Sequence, residues 1–257
     1  MNKFKINARY ALMTGPVMLE SQDLYTADTV QNHPIGLMAF TRDGRYFRYS
    51  LVGASALVAG NLLQAAAEDT SYENMSVLAS PIVLPQNGVQ TVNITNGTAT
   101  ITNAQFVDGS ISVYTTPDLG KEYTILGVTG TLTSGGALTV TIDRPLATAW
   151  TTSTKVNMKR SPWSGVIQAP ATTQTDMAVG VAPWAATAAQ YTWVQTHGLC
   201  TVLSDGSIFA VGSDVGTPSG TAGCVTVFAA GTTHQRIGVV RQAAASGHCL
   251  SMFLQID

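Results

Sequence analysis

"GLMAFTRDGRYFRYSLV", residues 36–52, decides how this chain is read. Asp43-Gly44 stands between two strand-like runs, a strong hairpin signal because the tight turn needs a residue that accepts positive φ. Alternation along the second run sends Arg45, Phe47 and Tyr49 to one face and Tyr46, Arg48 and Ser50 to the other. A single-strand nucleic-acid platform gathers aromatics and cations on one exposed face, and here the arginines are divided. The RNP order of basic residue, glycine and aromatics is also missing. The expectation is a hairpin with one packed face. Arg42, Arg45 and Arg48 then stand at an edge or interface, pairing with carboxylates as guanidinium forks do, with Phe47 and Tyr49 as neighbouring interface candidates.

Working outward, residues 35–68 are too few for a domain and are expected to join the sheet of residues 161–257. After the hairpin, "SLVGASALVAGNLLQAAA" from Ser50 to Ala67 carries no charge and is close to the roughly 20 residues of a membrane span. Two glycines, Asn61 and Gln64 dilute it, and Trp or Lys anchors are missing from its ends. A strand, a turn at Gly60-Asn61 and a second short segment fit better. Residues 1–34 lack periodicity and end in "QNHP". They read as an extended N-terminal arm with room for one short helix, a polar arm that lies on another surface or stays mobile.

Residues 75–160 read as an inserted β-sandwich domain. "QTVNITNGTATIT" alternates around Asn96-Gly97, "AQFVDGSISVYTT" turns at Asp108-Gly109, and "KEYTILGV", "GALTVTID" and "TKVNMKR" follow. Short strands at such spacing imply a sandwich or barrel. Residues 161–257 are β-rich again, through "GVIQAP", "MAVGVA", "YTWVQTHGLCTVL", "SIFAVG", "GCVTVFAA", "QRIGVVRQA" and "CLSMFLQI". The fold class is therefore all-β: a barrel or sandwich built from 35–68 and 161–257, the inserted domain, and the arm. The segment preceding the insertion extends to residue 74.

The chain has 257 residues, 11% of them charged, and a formal net charge of −2. That charged fraction is under half the usual value of about 25%. Nothing in it attracts nucleic acid or anionic lipid in general. Between Arg160 and Arg236 the only charges are Asp176, Asp205 and Asp214, which implies a surface covered by neighbours.

The familiar catalytic motifs are missing: no G-x-S-x-G elbow, phosphate loop, dinucleotide fingerprint or H-E-x-x-H. Asp43, Asp108, Asp118 and Asp205 sit where turn chemistry places aspartate. His197-x-x-Cys200 with His248-Cys249 can be drawn as a zinc set, but residues three apart on a strand diverge. Cys200, Cys224 and Cys249 read as small buried residues with no disulfide framework. No metal, cofactor or catalytic role is expected. Trp150, Trp163, Trp184 and Trp193 fit core and interface packing better than a glycan platform.

Residues 36–64, "GLMAFTRDGRYFRYSLVGASALVAGNLLQ", resemble head decoration (cement) or related structural proteins of tailed bacteriophages. The likeness rests on the Asp-Gly-Arg turn, the aromatic strand, the small-residue segment ending in Ala59-Gly60 and the late "YTWVQTHGLCTVLSDG"; it is weakest over 75–160. It implies a virion structural protein made in the host cytoplasm and placed on the outside of the head. There it would bridge neighbouring major capsid subunits, as a homo-oligomer with a trimer favoured. The alternative is a tail or receptor-binding β-module recognising host surface glycans.

Overall fold

A computed structural model describes residues 13–14, 17–18, 22–78, 88, 90–97, 100–102, 104–229, 234–242 and 248–257. The chain divides into two compact units: Met1–Ala67 with Pro162–Asp257, and Glu68–Ser161. Among the described residues every regular element of more than three residues is a strand. The middle of the chain is thus an insertion into a β-fold made from its two ends.

The hairpin forms where Asp43-Gly44 places it. Met38–Phe40 pairs antiparallel with Tyr46–Val52, with Ala39 opposite Phe47. Gly44 takes φ +83°, and Thr41 and Arg45 close the turn through the Thr41 N–H donating to the Arg45 carbonyl at 2.9 Å. Tyr46–Val52 then becomes one stave of a closed five-stranded barrel. It pairs with Ser164–Gln168 in parallel and with Tyr191–Leu203 antiparallel. Leu62–Gln64 and Ala178–Val181 complete the circle. The parallel pair is possible because Leu62–Gln64 and the whole insertion lie between its two strands in sequence.

Strand alternation fixes two cores. Val52 joins Val166, Val179 and Val194 in one cluster, while Phe47 and Tyr49 face the other way and pack with Trp193, Leu24 and Ile35. Beyond the barrel, Tyr191–Leu203 continues into a second antiparallel run with Cys249–Gln255, Arg236–Gln242, Asp214–Gly216 and Thr226–Val227. The strand shifts register between Gln195 and His197. Gly198 follows at φ +89°, where a Cβ would stand 3.0 Å from the Gly44 carbonyl. The outer run buries Val202, Val215, Ile237, Leu250, Met252 and Leu254 together.

The described half of the arm lies on its own barrel. Ala27–Asp28 pairs with the start of Tyr191–Leu203. Leu24 is fully buried. The Gln22 side chain donates to the Tyr191 carbonyl at 2.9 Å and accepts from the Tyr49 hydroxyl at 2.9 Å. Residues 22–34 are therefore wall rather than tether; the remainder of the arm, 1–12, 15–16 and 19–21, lies outside the described residues.

The insertion begins at Glu68, so residues 68–74, assigned above to the preceding segment, belong to it. Tyr72 and Met75 pack into its core with Phe106, Ile111, Ile125 and Trp150. Its six strands run in the order Met75–Ser76, Lys155–Lys159, Ser110–Val113, Glu122–Gly130, Ala137–Ile142, Thr91–Thr95. A register shift between Ile125 and Gly127 lets Glu122–Gly130 pair with a different strand along each half. Val77 bridges Ile94, joining the outer strands around a single core.

Three expected strands differ. "SIFAVG" makes no ladder although Phe209 is buried, because Ile208 at 96% exposed and Val211 at 67% have no layer to face. Asn96-Gly97 is not a two-residue hairpin, since Thr91–Thr95 pairs with Ala137–Ile142 instead. Gln105–Asp108 turns rather than extends, and Ser110–Val113 pairs across to Lys155–Lys159.

Candidate functional site

The three arginines of the hairpin have separate fates. Arg42 is exposed. Arg45 pairs through Nε with Asp43 Oδ2 at 2.9 Å and stands 5.6 Å from the centre of the Phe47 ring. Burial alone would raise the Asp43 carboxyl, but the Thr41 hydroxyl and the Arg45 guanidinium outweigh it and hold it below the usual range. Arg48 is fastened on three sides. Its Nε donates to Asp257 Oδ2 at 2.8 Å, its Nη1 to the Gly36 carbonyl at 2.9 Å, and its guanidinium lies 4.7 Å over the Trp163 ring. The carboxylates expected from a partner are thus supplied to Arg45 and Arg48 by this chain. Phe47 and Tyr49, named above as interface candidates, are 0% exposed. They belong to the core because the arm covers the face they share.

The zinc set is not brought together. His197 Nδ1 lies 3.0 Å from the Asp257 carbonyl, with its ring stacked 4.9 Å from Tyr46 and edge-on to Phe253. Burial pushes the Cys200 thiol up to about 12, far from thiolate chemistry. Among the described residues no three His, Cys, Asp or Glu side chains are grouped to hold a metal. Cys249, expected to be buried, is exposed; Cys224 is buried.

Asp118 exceeds its expected turn role. At 2% exposure it accepts from Lys121 Nζ at 2.7 Å, Trp150 Nε1 at 2.9 Å and the Tyr123 hydroxyl at 3.2 Å. Burial pushes its carboxyl up, but the hydrogen bonds from Lys121, Trp150 and Thr148 hold it below the ordinary value. This anchors the core of the insertion.

The surface feature that stands out joins two stretches that the sequence offered only separately, the uncharged run 50–67 and the segment around Trp184. Two loops meet beside the barrel, residues 53–60 and 182–190, pairing at Leu57 and Ala186 in both directions at 2.8 and 3.2 Å. Around this pair Ala54, Ala56, Val58 and Ala59 are exposed on one loop, and Trp184, Ala185, Ala188 and Ala189 on the other. Val58 is 54% exposed and Trp184 47%. Neither loop holds a charged residue. Trp184 is the sole tryptophan so exposed, since Trp150 and Trp193 are core and Trp163 lies beneath Arg48. The signal in the sequence was the alanine-rich, uncharged pair "ASALVA" and "PWAATAA", which periodicity reads only as strand or turn.

No family model, no curated protein and no solved structure matches this chain, so a functional reading rests on its own residues and geometry.

Proposed function

We propose that this chain is a virion structural protein that decorates the outside of a tailed-phage head. In that role it cements neighbouring major capsid subunits and acts without catalysis, metal or cofactor. The observation that carries the reading is the uncharged surface around Val58 and Trp184. Depletion of charge with an exposed aromatic is the composition of an interface core, and exposed apolar side chains on two paired, uncharged loops fit a contact site. The low charge of the chain and the likeness of residues 36–64 to head decoration proteins support the same reading. A trimer suits a site between capsomers and uses the charge-poor 161–235 region between copies.

Neither Arg45 nor Arg48 is free for phosphates, which supports a role without nucleic acid. The test is to add the purified chain to emptied heads of its parent particle and image them. Density at three-fold positions between capsomers is expected. Bare heads, or isolated single copies, contradict cementing or the trimer respectively. A salt-sensitive DNA titration that depends on Arg42 would contradict the exclusion of nucleic acid.

A further inference from the structure

One groove of about 520 Å³ lies wholly within the insertion, between the segment 70–76, the turn 95–97 and the loop at 134–135. Its lining includes the hydroxyl residues Thr70, Ser71, Thr95 and Ser134, with Asn74 and Glu73. The backbone N–H of Asn74 donates to Asn157 Oδ1 at 2.9 Å, and Asn74 Oδ1 accepts from the Tyr114 hydroxyl. That hydrogen bond ties Tyr114, 38% exposed, to a residue of the lining.

We propose that this groove binds a neutral oligosaccharide. Sugar hydroxyls donate and accept at once, and a lining that mixes hydroxyls, an amide and a carboxylate matches both needs. The carboxylate of Glu73 makes no ion pair among the described residues, and it can accept from two adjacent sugar hydroxyls as it does from a bidentate donor. The Tyr114 hydroxyl holds Asn74 Oδ1, so the Asn74 amide has its NH2 to offer a sugar oxygen. The same chemistry argues against other ligands. The Lys155 ammonium, which donates to the lining residue Ser76 at 2.6 Å, is offset by the Glu73 carboxylate, so the groove has no net positive charge to select a phosphate. Met75 is the only large apolar side chain among the described lining residues, and it is buried, so the groove offers no broad aliphatic or aromatic side chain to a lipid-like ligand. This site stands independently of the head-binding surface, which belongs to the other unit of the chain.

The test uses the full chain and saturation-transfer NMR with maltotriose, cellotriose and N,N′-diacetylchitobiose. Transfer to at least one of these is expected, with a dissociation constant in the millimolar range or tighter. Glu73→Gln and Tyr114→Ala should weaken it tenfold or more, and Ser134→Trp, which fills the groove from an exposed loop, should abolish it. Unchanged circular dichroism spectra would show that these surface variants fold. No transfer to any of the three sugars, or transfer unaltered in all three variants, overturns the proposal. So does tight, salt-sensitive binding of oligothymidylate that competes with the sugars, which would make the groove a polyanion site.

Discussion

Arg48 and Asp257, 209 positions apart, are joined by a 2.8 Å hydrogen-bonded ion pair. Through it the hairpin that opens the described barrel is fixed to the end of the last strand. Both side chains are 23% exposed, so the pair is partly shielded from water, and the Gly36 carbonyl and Trp163 ring hold the guanidinium in one orientation. Arg48→Ala is expected to destabilise the barrel unit by about 2 kcal/mol, and Asp257→Ala by a similar amount. Denaturant unfolding of both single variants and the double variant checks this: the double variant should lose less than the sum of the two.

The arm is the second case. Leu24 is fully buried against Phe47, Tyr49 and Trp193, so Leu24→Ala should cost about 2–5 kcal/mol. Deleting residues 1–34 should expose that aromatic cluster and lower the unfolding temperature markedly, measured by near-ultraviolet circular dichroism. An unchanged unfolding temperature would show that the arm is a mere tether.

Asp118 links the stability of the insertion to pH. Its folded carboxyl lies below the unfolded value of 3.8, so its contribution is fully present above that pH and is lost as pH falls through the folded value. Asp118→Asn should therefore be less stable at pH 7, and its stability should fall less than that of the wild type between pH 4.5 and pH 2.5. Asp118→Ala should be worse at neutral pH, by about 3 kcal/mol, because it strands the Trp150 and Tyr123 donors in the core. Thermal unfolding across a pH series reads both effects.

Gly198 is required by geometry. With φ at +89° and backbone 3.0 Å from where a Cβ would sit, Gly198→Ala should destabilise the chain by more than about 1 kcal/mol. The same exchange at Gly127, where a Cβ meets nothing within 4 Å, should be mild.

These elements differ in how plainly they could be read from residues. The hairpin was legible because Asp43-Gly44 is local chemistry and Phe47 and Tyr49 alternate with polar neighbours. The insertion was legible because the chain before it is too short to fold alone. The arm was not, since its hold on the barrel depends on Gln22 reaching Tyr191 across 169 positions, and its few apolar residues make no period. "SIFAVG" misled because alternation shows which side chains could be buried, not whether a neighbouring strand is there to pair with. The exposed loops were only partly legible, for a different reason. Alanine and valine read as interior, and only the pairing of Leu57 with Ala186 leaves Val58 and Trp184 outside.

That exposed pair carries the functional proposal, and its most direct test is head binding by Trp184→Asp, Val58→Asp and the double variant, each measured beside its unfolding temperature. Both residues lie in surface loops, so the variants should unfold within a few degrees of the wild type. A charge at the centre of a desolvated contact removes an anchor worth about 2 kcal/mol or more. Occupancy of emptied heads, titrated by co-sedimentation, should therefore fall at least tenfold in affinity for Trp184→Asp and further for the double variant. Wild-type occupancy by the double variant would contradict the claim that this surface is where the protein docks.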